Sequence, residues 1–323
     1  MKWFVFIVLA TAVACVSSAP DLGDIYDGGG GQILWGDGSA GSGNGGNFGD
    51  AGNGSVDAGP CDLDGAFQLN TTTNVFANVN DERDQAGASL SPDELTLYVD
   101  INGHFYIAHR TNTSEPFGKP EALVIDDGGF PRYAQPSVTA DQKRLFFECG
   151  LPHRSHICTV GLDQGETDFR APRVVTGLPR SSQADPRVYE GQGRLELWFS
   201  ATNDETSYDG DDLYSVIANG DGPFAVHEHP ELNDSDKADG MLVLDGTGRR
   251  AIFGSNRNTE VGDLFWASRE DPNGTFTMHQ HMAQLSTSTD EGPDWMSPDG
   301  CRLYFYSNRN GNYDLYLAER PKN

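Results

Sequence analysis

The sequence predicts an all-β fold: a β-propeller of five four-stranded blades, with an N-terminal strand completing the last blade. Three observations carry this expectation. A period of about 50 residues runs from near residue 84 to the C-terminus. Each period holds four short apolar runs separated by turn residues, the pattern of one blade. The fifth period ends before its fourth run, and a matching run stands ahead of the first. A degenerate sixth blade is the alternative that this pattern leaves open.

The first, innermost strand of each repeat is marked by the column Ala86, Ala134, Ala184, Ala238 and Gly292, with spacings of 48, 50, 54 and 54 residues. Turns follow at Ser91-Pro92-Asp93-Glu94, Thr139-Ala140-Asp141-Gln142, Glu190-Gly191-Gln192-Gly193, Asp245-Gly246-Thr247-Gly248 and Ser297-Pro298-Asp299-Gly300. Pro presets φ there, Asp bonds the nearby backbone, and Gly supplies positive φ. Second strands follow the turns, as in Leu95-Thr96-Leu97-Tyr98-Val99 and Arg302-Leu303-Tyr304-Phe305. Third strands carry Phe105-Tyr106-Ile107, His156-Ile157-Cys158, Asp212-Leu213-Tyr214, Asp263-Leu264-Phe265 and Asp314-Leu315-Tyr316. Fourth strands are expected to start at Phe117, Phe169, Phe224 and Phe276. Phe67-Gln68-Leu69-Asn70 begins like these, and Val79-Asn80 precedes Asp84 as Leu285-Ser286 precedes Asp290. Residues near 66 to 80 are therefore expected to close the ring and remove two exposed edges.

The chain has 323 residues and a net charge of −26, from 48 acidic and 22 basic side chains. So acidic a protein is not drawn to phosphate backbones or, through a basic surface, to anionic lipid. Residues 1–14 carry one charge, Lys2, then an apolar run too short to span a bilayer, and read as a secretory signal. Residues 15–60 hold 15 of the 39 glycines and six Asp with no Lys, Arg or Glu, the composition of a flexible tether. Residues 61–323 form the propeller domain and carry the remaining −21. Thr11-Ala12-Val13-Ala14-Cys15 resembles a bacterial lipobox, with Ala12 where Leu is usual. Lipidation of Cys15 would make a lipid anchor the chain's membrane attachment; cleavage after Ala14 or Ala19 would release it.

The segment Ser297-Pro298-Asp299-Gly300-Cys301-Arg302-Leu303-Tyr304-Phe305-Tyr306-Ser307-Asn308-Arg309, followed by Tyr313-Asp314-Leu315-Tyr316-Leu317-Ala318, resembles the WD40-like repeat of TolB-type β-propellers. The phrase recurs in Ser91-Pro92-Asp93 with Leu97-Tyr98, and in Gly254-Ser255-Asn256-Arg257 with Asp263-Leu264-Phe265. The resemblance covers about four-fifths of the chain. It implies an exported or periplasmic protein-binding or envelope module, and it brings no catalytic residues. Repeat two departs from it, with Thr139-Ala140-Asp141 and no Asp before Ile157. The Asp before Leu-Tyr is expected to cap backbone amides.

Five cysteines in an exported chain suggest disulfides. Cys149 and Cys158 flank a hairpin, where a cross-strand bridge is geometrically sound, and a Cys61–Cys301 bridge would lock the closing strand. Four buried thiols are the alternative. No Cys-x-x-Cys pair suggests zinc. The pairs His227/His229 and His279/His281 occupy one repeat position and read as polar side chains on an outer edge. No cofactor is expected. Structural Ca²⁺ is the exception to test, at Asn203-Asp204-Glu205, Asp209-Gly210-Asp211-Asp212 or Asn233-Asp234-Ser235-Asp236.

Carboxylates are expected at the channel mouth, near the start of each innermost strand: Asp84, Asp185, Asp239 and Asp294, with Asp236, Asp290 and Glu291 nearby. The expected function is non-catalytic: a monomeric envelope or surface propeller that recognises a protein or a glycan. It would use loops such as 200–212 and 254–263. The alternative is glycan cleavage by channel carboxylates. That needs two carboxyls about 5–10 Å apart, which carboxylates dispersed one per blade would not supply.

Overall fold

A computed structural model of the protein describes residues 61–125, 130–151, 154–161, 172–180, 182–202, 211–218 and 225–323. The signal, the tether with Cys15, and Phe169, Asp204, Glu205, Asp209 and Phe224 lie outside the described residues, and of His279 only the backbone is described. Among the described residues there are twenty strands and no helix.

The chain enters with β1 (Gln68–Leu69). Blade one is β2 (Gln85–Leu90), β3 (Thr96–Ile101), β4 (His104–His109) and β5 (Glu121–Ala122). Blade two is β6 (Tyr133–Val138), β7 (Arg144–Leu151), β8 (Arg154–Gly161) and β9 (Arg173–Val174). Blade three is β10 (Ser182–Gly191), β11 (Arg194–Thr202), β12 (Asp212–Ala218) and β13 (Ala225–Glu228). Blade four is β14 (Asp239–Leu244), β15 (Arg250–Ser255), β16 (Asp263–Ser268) and β17 (Thr277–His281). Blade five is β18 (Glu291–Met296), β19 (Arg302–Ser307) and β20 (Asp314–Glu319), completed by β1. Gln68 and Leu69 pair antiparallel with Glu319 and Ala318, so the expected closure is present. Innermost strands touch in the order β2, β6, β10, β14, β18 and back to β2. The ring thus closes at five blades and leaves no room for a sixth.

The turn phrases act as their chemistry suggests. The Ser91 hydroxyl donates to Asp93 at 2.6 Å and accepts the Thr96 amide at 2.9 Å. In repeat two the Thr139 hydroxyl donates to Asp141 at 2.7 Å, so that departure keeps the function of the turn. Apolar faces of adjacent blades interlock between the sheets. Phe253 and Phe265 meet Trp198, for instance, and Tyr304 meets Phe76 and Leu97. Burial of each such side chain contributes about 1.5–3 kcal/mol.

Three expectations need correction. Pairing of the fourth strands begins after the Phe, at Glu121 rather than Phe117 and at Thr277 rather than Phe276. These Phe side chains are buried anchors under arginines instead: Phe117 under Arg110 at 4.3 Å and Phe276 under Arg269 at 4.2 Å. Phe67 lies under Arg320 at 4.2 Å, which confirms its equivalence. In the inner-strand column, Gly240 rather than Ala238 is the structural match, because Gly240 pairs with Gly254 as Ala86 pairs with Asp100. The Asp before Leu-Tyr takes side-chain donors: Thr259 for Asp263, Arg180 for Asp212 and Asn312 for Asp314. The following amides are capped from the blade's outer connection, Leu213 by Asn233, Leu264 by Ser286 and Leu315 by Asn80.

Both disulfides are present. Cys61–Cys301 spans 240 residues with Cα atoms 5.8 Å apart, and Cys149–Cys158 joins β7 to β8 at the same Cα separation. Such bonds fit an oxidising, extracytoplasmic compartment.

Candidate functional site

Every innermost strand carries a β-bulge near its start. Bulges tighten the local twist and re-aim side chains, and they recur beside functional sites. Here they place Gly87, Gln135, Asp185 and Met241 at positive φ, between 54° and 72°. Gly87 is required: a Cβ there would lie 2.9 Å from the Gln135 Cα. Gln135, Asp185 and Met241 line one cavity of about 810 Å³ at the mouth of the channel.

The cavity is acidic. Its described lining includes Glu148, Asp185, Asp211, Asp239, Asp290 and Glu291, with Glu260 at the rim and Arg132 as the basic residue. Ser200, Ser255, Asn256, Asn308, Tyr306 and Tyr313 add hydroxyls, amides and two aromatic rings.

Three of the carboxyls belong together. Glu148 sits on β7, 6% exposed, with Arg132 at 3.9 Å. Burial pushes its carboxyl up to about 7, and the charge of Asp185 adds to the shift. Asp185 accepts the Ser200 hydroxyl at 2.8 Å and is also raised by burial. Asp211, just before β12, is pushed up to about 8 by burial and by the charges of Asp185 and Glu148. Deeper in the channel Asp294 is buried against Arg187 at 3.3 Å, and burial takes it to about 7. Asp100, at the β3 register that Glu148 occupies in β7, is likewise raised to about 7 by burial.

On the opposite side of the mouth the carboxylates have partners. Asp239 pairs with Arg257 and accepts the Asp234 amide at 2.6 Å. Glu291 accepts from Ser307 and Thr287, both at 2.7 Å, with Arg309 at 3.5 Å. Asp290 accepts the Gly262 amide at 2.8 Å and the Tyr313 hydroxyl at 2.9 Å.

Of the four carboxylates expected at the mouth, Asp185 and Asp239 line the cavity. Asp84 is exposed on the connection into β2, where its carboxylate accepts the Tyr313 amide at 3.1 Å, and Asp294 lies below the cavity. Sequence reasoning missed Glu148 as a site residue and placed Asp211 within the 200–212 binding loop and a candidate Ca²⁺ loop, not among the channel carboxylates. A signal for Glu148 existed. It is the acidic residue in Leu145-Phe146-Phe147-Glu148-Cys149, at the register of Asp100 in repeat one.

The described histidines of the two pairs have separate surroundings. His227 is exposed, while the His229 ring stacks on Trp198 at 4.2 Å and bonds Ser215 at 3.0 Å. His281 approaches Asp263 at 3.4 Å. Among the described residues no group of three or more His, Cys, Asp or Glu is placed to hold a metal ion.

No family model matches the chain, and no curated protein matches its sequence. Solved structures do match its fold. An endo-arabinase from Bacteroides thetaiotaomicron shares 13% identity and a TM-score of 0.56, over 79% of this chain and 97% of that one. An α-L-arabinofuranosidase from Lactobacillus brevis shares 12% identity and a TM-score of 0.54, over 78% of this chain and 92% of that one. A putative TolB from Agrobacterium tumefaciens also matches, at 13% identity and a TM-score of 0.46, over 74% of this chain and 84% of that one. These likenesses are likenesses of fold. At that TM-score the TolB match carries no argument.

Proposed function

We propose that the protein is a glycan-binding propeller whose channel mouth takes a short carbohydrate. The observation that carries this reading is the cavity of about 810 Å³ lined by carboxyl, hydroxyl and amide groups together with Tyr306 and Tyr313. Sugars present dense hydroxyls and apolar ring faces, which such a lining satisfies. The experiment is a glycan array with the full chain, followed by calorimetry of the best ligand. Binding that is weakened by Tyr313→Ala is expected. Binding that is indifferent to Tyr313, or no glycan binding at all, would overturn the reading.

One observation favours a second reading, glycoside hydrolysis. Glu148 and Asp211 are raised to about 7 and about 8 beside Asp185. A protonated acid next to another carboxyl is the division of labour used to cleave glycosidic bonds. Incubation with arabinan and other polysaccharides, followed by a reducing-sugar assay, separates the two. Product release abolished by Asp185→Asn would select hydrolysis.

A further inference from the structure

We infer that the channel mouth selects an amino sugar, holding a ring ammonium among Glu148, Asp185 and Asp211. The inference rests on the glycan reading above and narrows its ligand class. Its first ground is the asymmetry of the cavity. On the side of blades four and five, Asp239 and Glu291 have arginine partners, and Asp290 has two hydrogen-bond donors. On the side of blades two and three, three carboxyls have two arginines near them: Arg132, 3.9 Å from Glu148, and Arg187, which acts on Asp185 but is paired with Asp294 at 3.3 Å. That side has room for one more positive charge.

The second ground is independent of the charge count. Asp211 is 6% exposed and lines the cavity, yet its Oδ1 has no hydrogen-bond partner. A buried acceptor left unpaired keeps its desolvation cost without a compensating bond. The arrangement therefore stores a demand for a donor at that point. A neutral hydroxyl would meet the demand for a hydrogen bond and leave the clustered carboxyls uncompensated. An ammonium meets both, with three donors and a positive charge.

The groups facing the trio define what should be measured. The charges of Asp185, Glu148 and Asp212 act on Asp211, which also bonds Thr202. Glu148 feels Asp185, Arg132 and Asp100 and bonds Ser155, and Asp185 feels Arg187, Arg132 and Asp290 and bonds Ser200. In the free protein burial, helped by the neighbouring negative charges, raises all three carboxyls and takes Glu148 to about 7 and Asp211 to about 8. A bound ammonium replaces a proton, so binding should expel about one proton.

The test is calorimetry of the full chain at about pH 6.5 in buffers of different ionisation enthalpy. The probes are a glucosamine tetrasaccharide, its fully N-acetylated counterpart, Nα-acetyl-lysine amide and CaCl₂. The amino sugar is expected to bind about tenfold or more tighter than the acetylated one, the scale of a hydrogen bond to a charged group. Only the amino sugar should release a proton. Asp211→Asn and Glu148→Gln should each bring the two sugars to similar affinity, with thermal melting confirming that both variants fold. Equal binding of both sugars by the unaltered chain would overturn the amine selection and leave glycan binding standing. Binding of neither sugar overturns the inference too; the array then decides the broader reading. Tighter binding of the lysine amide or of Ca²⁺, lost in Asp211→Asn, would overturn it in favour of a peptide or a metal ion.

Discussion

Glu94 occupies the turn between β2 and β3 at a φ of 61° and is 3% exposed. Its carboxylate accepts from Arg302 Nε at 2.8 Å and from the Tyr304 hydroxyl at 2.6 Å. Arg110 approaches it at 3.7 Å, and the Arg110 Nε donates to the Glu94 carbonyl at 2.7 Å. Arg302 and Tyr304 belong to blade five, so one turn side chain of blade one clamps the ring seam. Glu94→Ala would take the paired carboxylate from Arg110 and leave Arg302 only the exposed Asp299 at 3.5 Å. A buried ion pair broken on one side costs about 3–5 kcal/mol, so a clearly lowered melting temperature is expected. An unchanged melting curve would show that the clamp is idle. The turn itself was readable from Ser91-Pro92-Asp93. The clamp was not, because its partners lie 208 and 210 residues away in sequence.

At the scale of elements, β1 is two residues long and holds blade five closed through Gln68 and Leu69. So short a pairing depends on supports at its sides. The disulfide Cys61–Cys301, the Cys61–Lys322 bridge and the Phe67–Arg320 contact supply them. The disulfide closes a loop of 240 residues, worth about 5.5 kcal/mol in the chain-entropy account. The double variant Cys61→Ala/Cys301→Ala should melt about 10 °C lower. Hydrogen exchange should show the Asn70 amide, which donates to the Leu317 carbonyl at 2.8 Å, losing protection before the inner strands do. A shift below about 2 °C would mean that the pairing and the Arg320 contact suffice. Most of this element was legible in advance, because Phe67 and Val79-Asn80 repeat the pattern of the other blades' outer strands. Its exact pairing start was not, because Phe67, Phe117 and Phe276 serve as buried anchors just outside the ladder.

Across the whole molecule, burial raises Asp100, Glu148, Asp211 and Asp294 to between about 7 and about 8. Each group is protonated in the folded state at pH values where the unfolded chain has lost the proton. Its stabilising contribution is therefore complete below the ordinary carboxylate range and is lost as pH rises through about 7 to 8. Asp81, lowered to about 2 chiefly by its hydrogen bond from Arg83, acts only in stronger acid. The protein should thus melt at a higher temperature at pH 5 than at pH 8.5. Melting that rises steadily over that interval would contradict the buried-acid account.

The sequence by itself determined the repeat, the strand that closes the ring and the cysteine pairs able to bond, while the closed ring excluded a sixth blade and the structure joined both pairs. Those sequence features are copied by the repeat or set by spacing along the chain, so local chemistry exposes them. Only the tertiary structure decided which carboxyls share a site. Asp185 reaches the cavity because a bulge holds it at a φ of 55°, and it meets Glu148 and Asp211 because the ring brings β7, β10 and the start of β12 to one mouth. Asp84 and Asp294 resemble Asp185 in sequence, yet one lies exposed on a connection and the other is buried below the cavity. The physical reason is that a side chain's direction on a strand flips with each residue and shifts with each bulge, whereas the repeat period records only where a strand begins.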